Sequence, residues 1–296
     1  MACKKASKKR IFGILKKINN LIKALWAYTR HCFSTRRLKL AHLLLAVFLI
    51  FILIEWQHEN NLYRNIGRLC KIHASSKADT AVVQEAMTSI NDIMQSRSAL
   101  FQAQEQLSWK QDLFQSADIH LMYGSGACGG YSMVLARTLQ VMGYNVRIGQ
   151  LKVIKGGWGG HIIIEYYSNL LHKWVMIDPL FQFIPHTKNG NMASVQYLAK
   201  HWHTFEDQMP EDFRAKYRYN DVRYTNWDKF GGITKPYYGL AKLFMGKAYA
   251  DTICLRMYRL STFPLLFWSI IGSYLTLFMI GFYATRRRAA RVGLSH

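Results

Sequence analysis

The chain has 296 residues, half of them hydrophobic, and a formal net charge of +22 at pH 7. Residues 1–39 contain twelve Lys and Arg and no acidic residue, and four more arginines follow residue 284, so the remainder is close to charge balance. Basic clusters that flank apolar runs are typical of a membrane protein, whereas a nucleic-acid-binding protein carries its positive charge on a folded face. The distribution therefore excludes nucleic acid as the expected partner.

The N-terminal segment has its own pattern. Residues 11–28 place eight apolar side chains at helical spacing, with three lysines on the other faces. This pattern predicts a basic amphipathic helix that lies on the anionic inner leaflet of a membrane. The alternative is a basic orientation signal that forms no stable helix. Residues 1–39 are thus predicted to be a cytoplasmic leader that contacts lipid.

Two apolar runs are predicted to span a membrane. The first covers residues 40–56, where Lys39 and Trp56 extend the reach of a short apolar stretch to the two interfaces. The second covers residues 262–284 and contains no charged residue. A cleaved signal peptide is the alternative for the first run, but no small-residue cleavage site follows Ile54. A mitochondrial transit peptide is a further alternative, and the long apolar run disfavours it.

The basic clusters set the expected orientation. One precedes the first span, and the other lies in the tail, residues 285–296. The positive-inside rule then places both termini in the cytoplasm. Residues 57–261 are predicted to form an extracytoplasmic domain between the two spans.

Helical segments are predicted on both sides of the central region. Residues 78–115 contain neither Gly nor Pro, which predicts two helices or one helix broken near Ser96–Ser98. Residues 183–230 are polar and aromatic, which predicts loops and short helices. Residues 237–260 predict an amphipathic helix that leads into the second span.

Neither a metal nor a cofactor is expected. His201 and His203 alternate around Trp202 as two ligands on a strand would, but no third ligand is evident. The five cysteines lack the close spacing of a zinc site. A disulfide between Cys70 and Cys254 can form in an oxidising compartment, although two unpaired thiols are the expectation.

A single cysteine lies among four glycines in the run Gly124–Tyr144, GSGACGGYSMVLARTLQVMGY. Glycine permits a sharp turn, and the helical pattern that follows ends at Gly143. Cys128 is therefore predicted to lie at or just before a helix N-terminus, where the dipole and free N–H groups favour the thiolate and can form part of an oxyanion hole. The alternative is a small buried cysteine beside a turn.

Three strands are predicted after this helix, at residues 146–154, 161–167 and 172–178. With a four-residue turn between the last two, Tyr167 faces His172, and counting back places His161 opposite Asp178. A carboxylate in that position would orient the imidazole of a nucleophile–base–orienter triad. A change of one residue in the turn would shift this register.

The motifs Gly126-Ala127-Cys128, His161–Glu165 and Trp174–Pro179 together resemble the transglutaminase-like superfamily over about residues 124–182. The resemblance implies a papain-like α+β core, a Cys-bearing helix packed on an antiparallel sheet, held here between two transmembrane helices. It also implies thiol acyl-transfer chemistry, with Cys128, His161 and Asp178 as the catalytic triad. The chain has no acid-rich loop of the calcium-dependent kind, so calcium is not expected.

The expected function is that of a membrane-anchored thiol enzyme acting on a protein or peptide. Such an enzyme is a cysteine peptidase or amidase if water resolves the acyl-enzyme, and a transglutaminase if an amine does. Candidates for the substrate cleft are Trp158 and Tyr123, and candidates for the oxyanion-hole side chain are Gln111, Gln115 and Tyr123. The alternative is a non-catalytic binding or scaffold protein of a membrane or envelope assembly, with a membrane protein as its partner.

Overall fold

The computed structural model describes residues 36–100, 115–153, 160–209, 211–214, 217–224, 234–253 and 259–293. The helices are α1 Arg36–His73, α2 Asp79–Leu100, α3 Ala117–Tyr123, α4 Cys128–Val141, α5 Val195–Lys200, α6 Trp202–Phe205, α7 Glu211–Arg214, α8 Thr234–Met245, α9 Lys247–Thr252 and α10 Phe263–Gly293. The strands are β1 Val146–Val153, β2 Ile162–Ser168, β3 Lys173–Ile177 and β4 Tyr217–Arg223. The leader helix predicted at residues 11–28 lies outside these ranges.

The first of two structural units comprises the described residues up to Trp56 and those from Phe263 onward. Both α1 and α10 are long and apolar enough to cross a membrane. Within this unit the Trp56 ring stacks on Phe263 with centroids 4.6 Å apart, and the Tyr274 hydroxyl donates to the His42 carbonyl at 3.2 Å. Most of the large apolar side chains of these two segments are exposed, as suits a surrounding lipid. Each helix is longer than the span predicted within it.

The second unit, Gln57–Thr262, is built on a four-stranded antiparallel sheet with the strand order β3-β2-β1-β4. Helices surround this sheet, so the predicted α+β class is confirmed. Strand β4 was not predicted, because its residues are polar and aromatic and resemble a loop. It pairs with the free edge of β1, and the register shifts between Leu151 and Lys152.

The sheet is buried on both faces, which explains why its central strands are aliphatic throughout rather than alternating. On one face Ile164 and Tyr166 belong to the hydrophobic core that α2 and α4 share with the sheet. On the other face Ile163 packs in a second core with Leu198 of α5 and Phe205 of α6. Burying one large aliphatic side chain contributes about 1.5–3 kcal/mol, so this packing fixes β2 firmly between two layers of helices.

Two helical predictions differ from the structure. Helix α2 continues without a break to Leu100, so the predicted interruption at Ser96–Ser98 was wrong. The amphipathic helix predicted over residues 237–260 is divided at Gly246, whose φ of +82° ends α8. The left-handed conformation of this glycine separates α8 from α9.

Candidate active site

Cys128 is the first residue of α4, as predicted. The loop before it passes through Gly126, whose φ of +82° lies in the left-handed region. His120 lies beneath this loop, and its Nδ1 donates to the Ser125 carbonyl at 3.1 Å. A Cβ atom on Gly130 would lie 2.3 Å from that carbonyl oxygen. The glycines therefore allow the close packing that places Cys128 at the helix N-terminus.

His161 immediately precedes β2, and only 1% of its surface is exposed. Strand β2 is hydrogen-bonded to α4, the helix that begins with Cys128, because the Ser132 hydroxyl donates to the Ile162 carbonyl at 2.9 Å. Ser132 lies about one turn beyond Cys128. This bond holds the residue next to His161 against the beginning of α4.

The register between β2 and β3 differs from the prediction by two residues. Tyr167 pairs with Trp174 rather than with His172, because His172 has a φ of +49° and belongs to the turn. The predicted direct opposition of His161 and Asp178 was therefore wrong. A displacement of two residues preserves the alternation of side chains, so the two residues remain diagonal neighbours on one face.

The structure brings Cys128, His161 and Asp178 together in one hydrogen-bonded group. His161 Nε2 donates to Asp178 Oδ2 at 2.5 Å, and the imidazole also shares a hydrogen bond with the Cys128 thiol. Because Asp178 occupies Nε2, Nδ1 is the nitrogen that faces the thiol. His161 and Asp178 are buried and Cys128 is half-buried. Cys128 is therefore the residue of the group with the greatest exposure to solvent.

The electrostatics of the group favour an ion pair. Burial raises the pKa of the Cys128 thiol, but hydrogen bonds with His161 and with the Ile162 backbone outweigh it, and the pKa lies below its ordinary value. Burial lowers the pKa of His161, but hydrogen bonds with Asp178 and Cys128 raise it to about 9. Both shifts favour a thiolate and an imidazolium at neutral pH, and the dipole of α4 acts in the same direction.

Asp178 lies in a short turn after β3 that several hydrogen bonds hold in place. One of these, from Asn91, was not predicted. The Asp178 backbone exchanges two hydrogen bonds with Phe183, at 2.8 and 2.9 Å, and its Oδ1 accepts from the Phe181 N–H at 3.3 Å. Asn91 of α2, fully buried, donates to the Pro179 carbonyl at 2.9 Å. Asn91 thus ties the turn that carries the carboxylate to a core helix.

Two aromatic rings flank the imidazole, and neither was identified from the sequence. The ring centroids of Phe181 and Tyr217 lie 5.3 and 5.1 Å from that of His161. Rings at this distance restrict rotation of the imidazole and limit water near its bond to Asp178. Burial, together with the charges of Cys128 and Asp178, raises the pKa of the Tyr217 hydroxyl. The Tyr217 hydroxyl therefore stays protonated and can act as a hydrogen-bond donor.

Glu165, which lies on β2 four residues after His161, is fully buried. Its carboxylate accepts hydrogen bonds from Arg147 Nε at 2.7 Å, from the Val195 N–H at 3.0 Å and from the Tyr224 hydroxyl. A buried charge of this kind is tolerated only when it is paired and hydrogen-bonded. These bonds fasten α5 and β4 to the centre of the sheet.

The other predicted site residues fall in different places. Tyr123 ends α3 and is half-buried, whereas Trp158 and Gln111 lie outside the described residues. Their roles in the substrate cleft and the oxyanion hole stay predictions.

The metal and disulfide expectations concern other parts of the chain. Trp202 begins a helical turn, so His201 and His203 do not alternate along a strand. Within the described ranges no three His, Cys, Asp or Glu side chains form a group that could hold a metal ion. Cys70 is buried and makes no disulfide, and Cys254 lies outside the described residues.

Comparisons with known proteins return a weak structural similarity. No family model matches the chain, and no curated protein matches it. A solved structure described as "Crystal structure of a TGase" matches with a TM-score of 0.32 and 18% sequence identity, over 49% of this chain and 37% of that chain. A TM-score of this size does not establish a common fold, so any assignment of function depends on the geometry of the site.

Proposed function

We propose that this chain is a membrane-anchored thiol acyl-transfer enzyme of the transglutaminase-like kind, acting on peptide or carboxamide bonds. The observation that carries the proposal is the hydrogen-bonded group of Cys128, His161 and Asp178 at the N-terminus of α4. A nucleophile, a base and an orienting carboxylate in that order make up a catalytic triad. The Cys-bearing helix packed on an antiparallel sheet supports a papain-like core.

In the first half of the reaction, the Cys128 thiolate attacks the carbonyl carbon of the substrate. The carbonyl oxygen becomes an oxyanion, which the N–H groups of Cys128 and Gly129 can stabilise, because the first N–H groups of a helix precede its intrahelical acceptors. Collapse of the tetrahedral intermediate breaks the C–N bond. His161 gives its Nδ1 proton to the departing amine or ammonia, and a thioester on Cys128 remains.

In the second half, an acceptor resolves the thioester. His161, now neutral, removes a proton from water or from a primary amine as it attacks the acyl carbon. The C–S bond breaks, and the product is a carboxylic acid or a new amide. Asp178 keeps the proton on Nε2 in both halves, so Nδ1 alternates between donor and acceptor. Peptidase, amidase and transglutaminase activities share this cycle and differ in the acceptor.

The membrane arrangement belongs to the same proposal. We place α1 and α10 across the bilayer, residues 57–261 outside the cytoplasm and both basic termini inside. A reporter fused to either terminus should be active in the cytoplasm alone. A reporter inserted at Lys188, in an exposed turn, should be active outside it. Cytoplasmic activity of the Lys188 insertion would overturn this topology.

The basic leader is proposed to lie on the anionic inner leaflet. Each Lys or Arg near such a surface contributes on the order of 1 kcal/mol, and salt screens the attraction. A peptide of residues 1–39 should bind anionic vesicles, become helical on binding and dissociate as salt rises. A peptide that stays unbound and unstructured at low salt would leave the leader as an orientation signal only.

The enzymatic proposal is tested with the purified full-length chain and glutamine-containing peptides. Ammonia release reports attack on a carboxamide, incorporation of a fluorescent amine reports transfer, and mass spectrometry of the peptide reports cleavage. The native chain should give at least one signal, and Cys128→Ala should give none while its unfolding midpoint is unchanged. Equal signals from both, or no signal from a native chain whose Cys128 reacts no faster than free cysteine, would contradict the proposal.

A further inference from the structure

Helix α8 presents an exposed apolar face. Tyr237, Leu240, Leu243 and Phe244 are 63%, 51%, 76% and 80% exposed. At 3.6 residues per turn these four side chains lie on one side of the helix. A helix of a water-soluble domain turns such a side toward the core, but here it faces outward.

The opposite side of α8 is basic. Lys235 and Lys242 lie about half a turn around the helix from Phe244, and Lys247 is the first residue of α9. The sequence from Thr234 to Lys247 contains no Asp or Glu. An apolar side opposed by lysines is typical of a helix that lies in the interface of a membrane.

The chain keeps α8 within reach of a candidate membrane span. Residues 246–262 alone separate it from α10, a connection of at most about 60 Å when fully extended. The Tyr238 hydroxyl donates to Asp251 Oδ1 at 2.7 Å, which holds α9 against a side of α8 other than that of Phe244. The apolar side therefore stays open.

We propose that α8 docks on the surface of a lipid bilayer, with Tyr237, Leu240 and Phe244 buried below the phosphates and Lys235 and Lys242 directed at anionic headgroups. This inference depends on the proposed function only in taking α1 and α10 as membrane spans. Lipid fits this surface better than a protein partner does, because the lysines have no acidic neighbour on the helix and a bilayer is tethered to the same chain. The docked helix adds an interfacial contact to the two spans.

The experiment places a fluorescent label on either side of α8 in the full chain, reconstituted in nanodiscs that contain anionic lipid. Phe244→Cys and Lys242→Cys are made in a chain whose native cysteines are replaced, and each is labelled with bimane. Both positions are exposed, so the label disturbs no core packing. Ser273→Cys, in α10, serves as the control for a membrane span. If the cysteine-free chain does not fold, a genetically encoded fluorescent amino acid at the same three positions replaces the labels.

Two quenchers distinguish the outcomes, a lipid with a nitroxide near its headgroup and iodide in the water. The proposal expects the label at 244 to be quenched at least threefold more by the lipid nitroxide, and threefold less by iodide, than the label at 242. Equal iodide quenching at both positions would overturn the docking. Protection of 244 from both quenchers would assign the face to a protein contact and also overturn it. Quenching of the label at 273 by iodide would show that α10 does not span the membrane. This outcome is distinct from iodide quenching at 244, which would contradict only the docking of α8.

Discussion

We expect the reactivity of Cys128 to depend on His161, and the contacts of the imidazole indicate the size of this dependence. The pKa of His161 rises from 6.5 to about 9 because of Asp178 and Cys128, a difference of about 3 kcal/mol in favour of the imidazolium. A hydrogen bond to a charged group is worth about 1.5–3 kcal/mol, so removing the imidazole should reduce the thiolate population roughly tenfold or more. Burial of the thiol then acts unopposed by His161 and raises its pKa further.

His161→Gln should therefore lower the rate of Cys128 alkylation by iodoacetamide at pH 7 at least tenfold and move the midpoint of the rate–pH curve upward. The rate is measured by intact mass, and Cys128→Ser shows that the counted adduct is on Cys128. His201→Gln, an exposed histidine, is the matched control and should leave the rate unchanged. An unchanged rate in His161→Gln, or an equal loss in His201→Gln, would refute the ion-pair reasoning.

Three further predictions follow from the same contacts. By NMR, the His161 imidazole should stay protonated until the pH approaches about 9; a midpoint near 6.5 would contradict the pairing. Gly130→Ala should cost about 1–3 kcal/mol in denaturant unfolding and slow Cys128 alkylation, since its Cβ meets a carbonyl at 2.3 Å. Gly129→Ala, whose Cβ makes an ordinary 3.6 Å contact, should be tolerated; equal effects would show that loop packing is not responsible. Arg137→Met should cost about 3 kcal/mol by removing the ion-pair partner of Glu59, whose side chain is 11% exposed, and a second change, Glu59→Leu, should recover part of this loss.

The parts of the site that could be predicted are those marked by patterns among neighbouring residues in the sequence. Glycines around one cysteine predict a sharp turn, and the helical pattern that follows marks Cys128 as a helix start. Aliphatic strands beginning at His161 and ending at Asp178 predict a hairpin. The exact register was missed because the conformation of His172 decides which residues belong to the turn. The triad survived this error because the displacement is an even number of residues.

The residues that hold the triad in position could not be predicted, because they come from segments distant in the sequence. Asn91 reaches the Pro179 carbonyl from 88 residues earlier in the chain, and nothing near it in the sequence distinguishes it from other polar residues of a helix. Tyr217 reaches the imidazole from β4, an edge strand whose residues resemble a loop. Such contacts depend on how the helices pack on the sheet, which periodicity does not specify.

The central claim, thiol acyl transfer by Cys128, is tested most directly by trapping the acyl-enzyme. The full-length chain is mixed with p-nitrophenyl acetate, and the release of nitrophenolate is followed together with the intact mass. The proposed mechanism predicts a rapid burst, one acetyl group on Cys128, and transfer of that group to added hydroxylamine. Cys128→Ala should show no burst, and His161→Gln a burst slowed at least tenfold. Acetylation confined to lysines, or a burst that persists in Cys128→Ala, would contradict the claim.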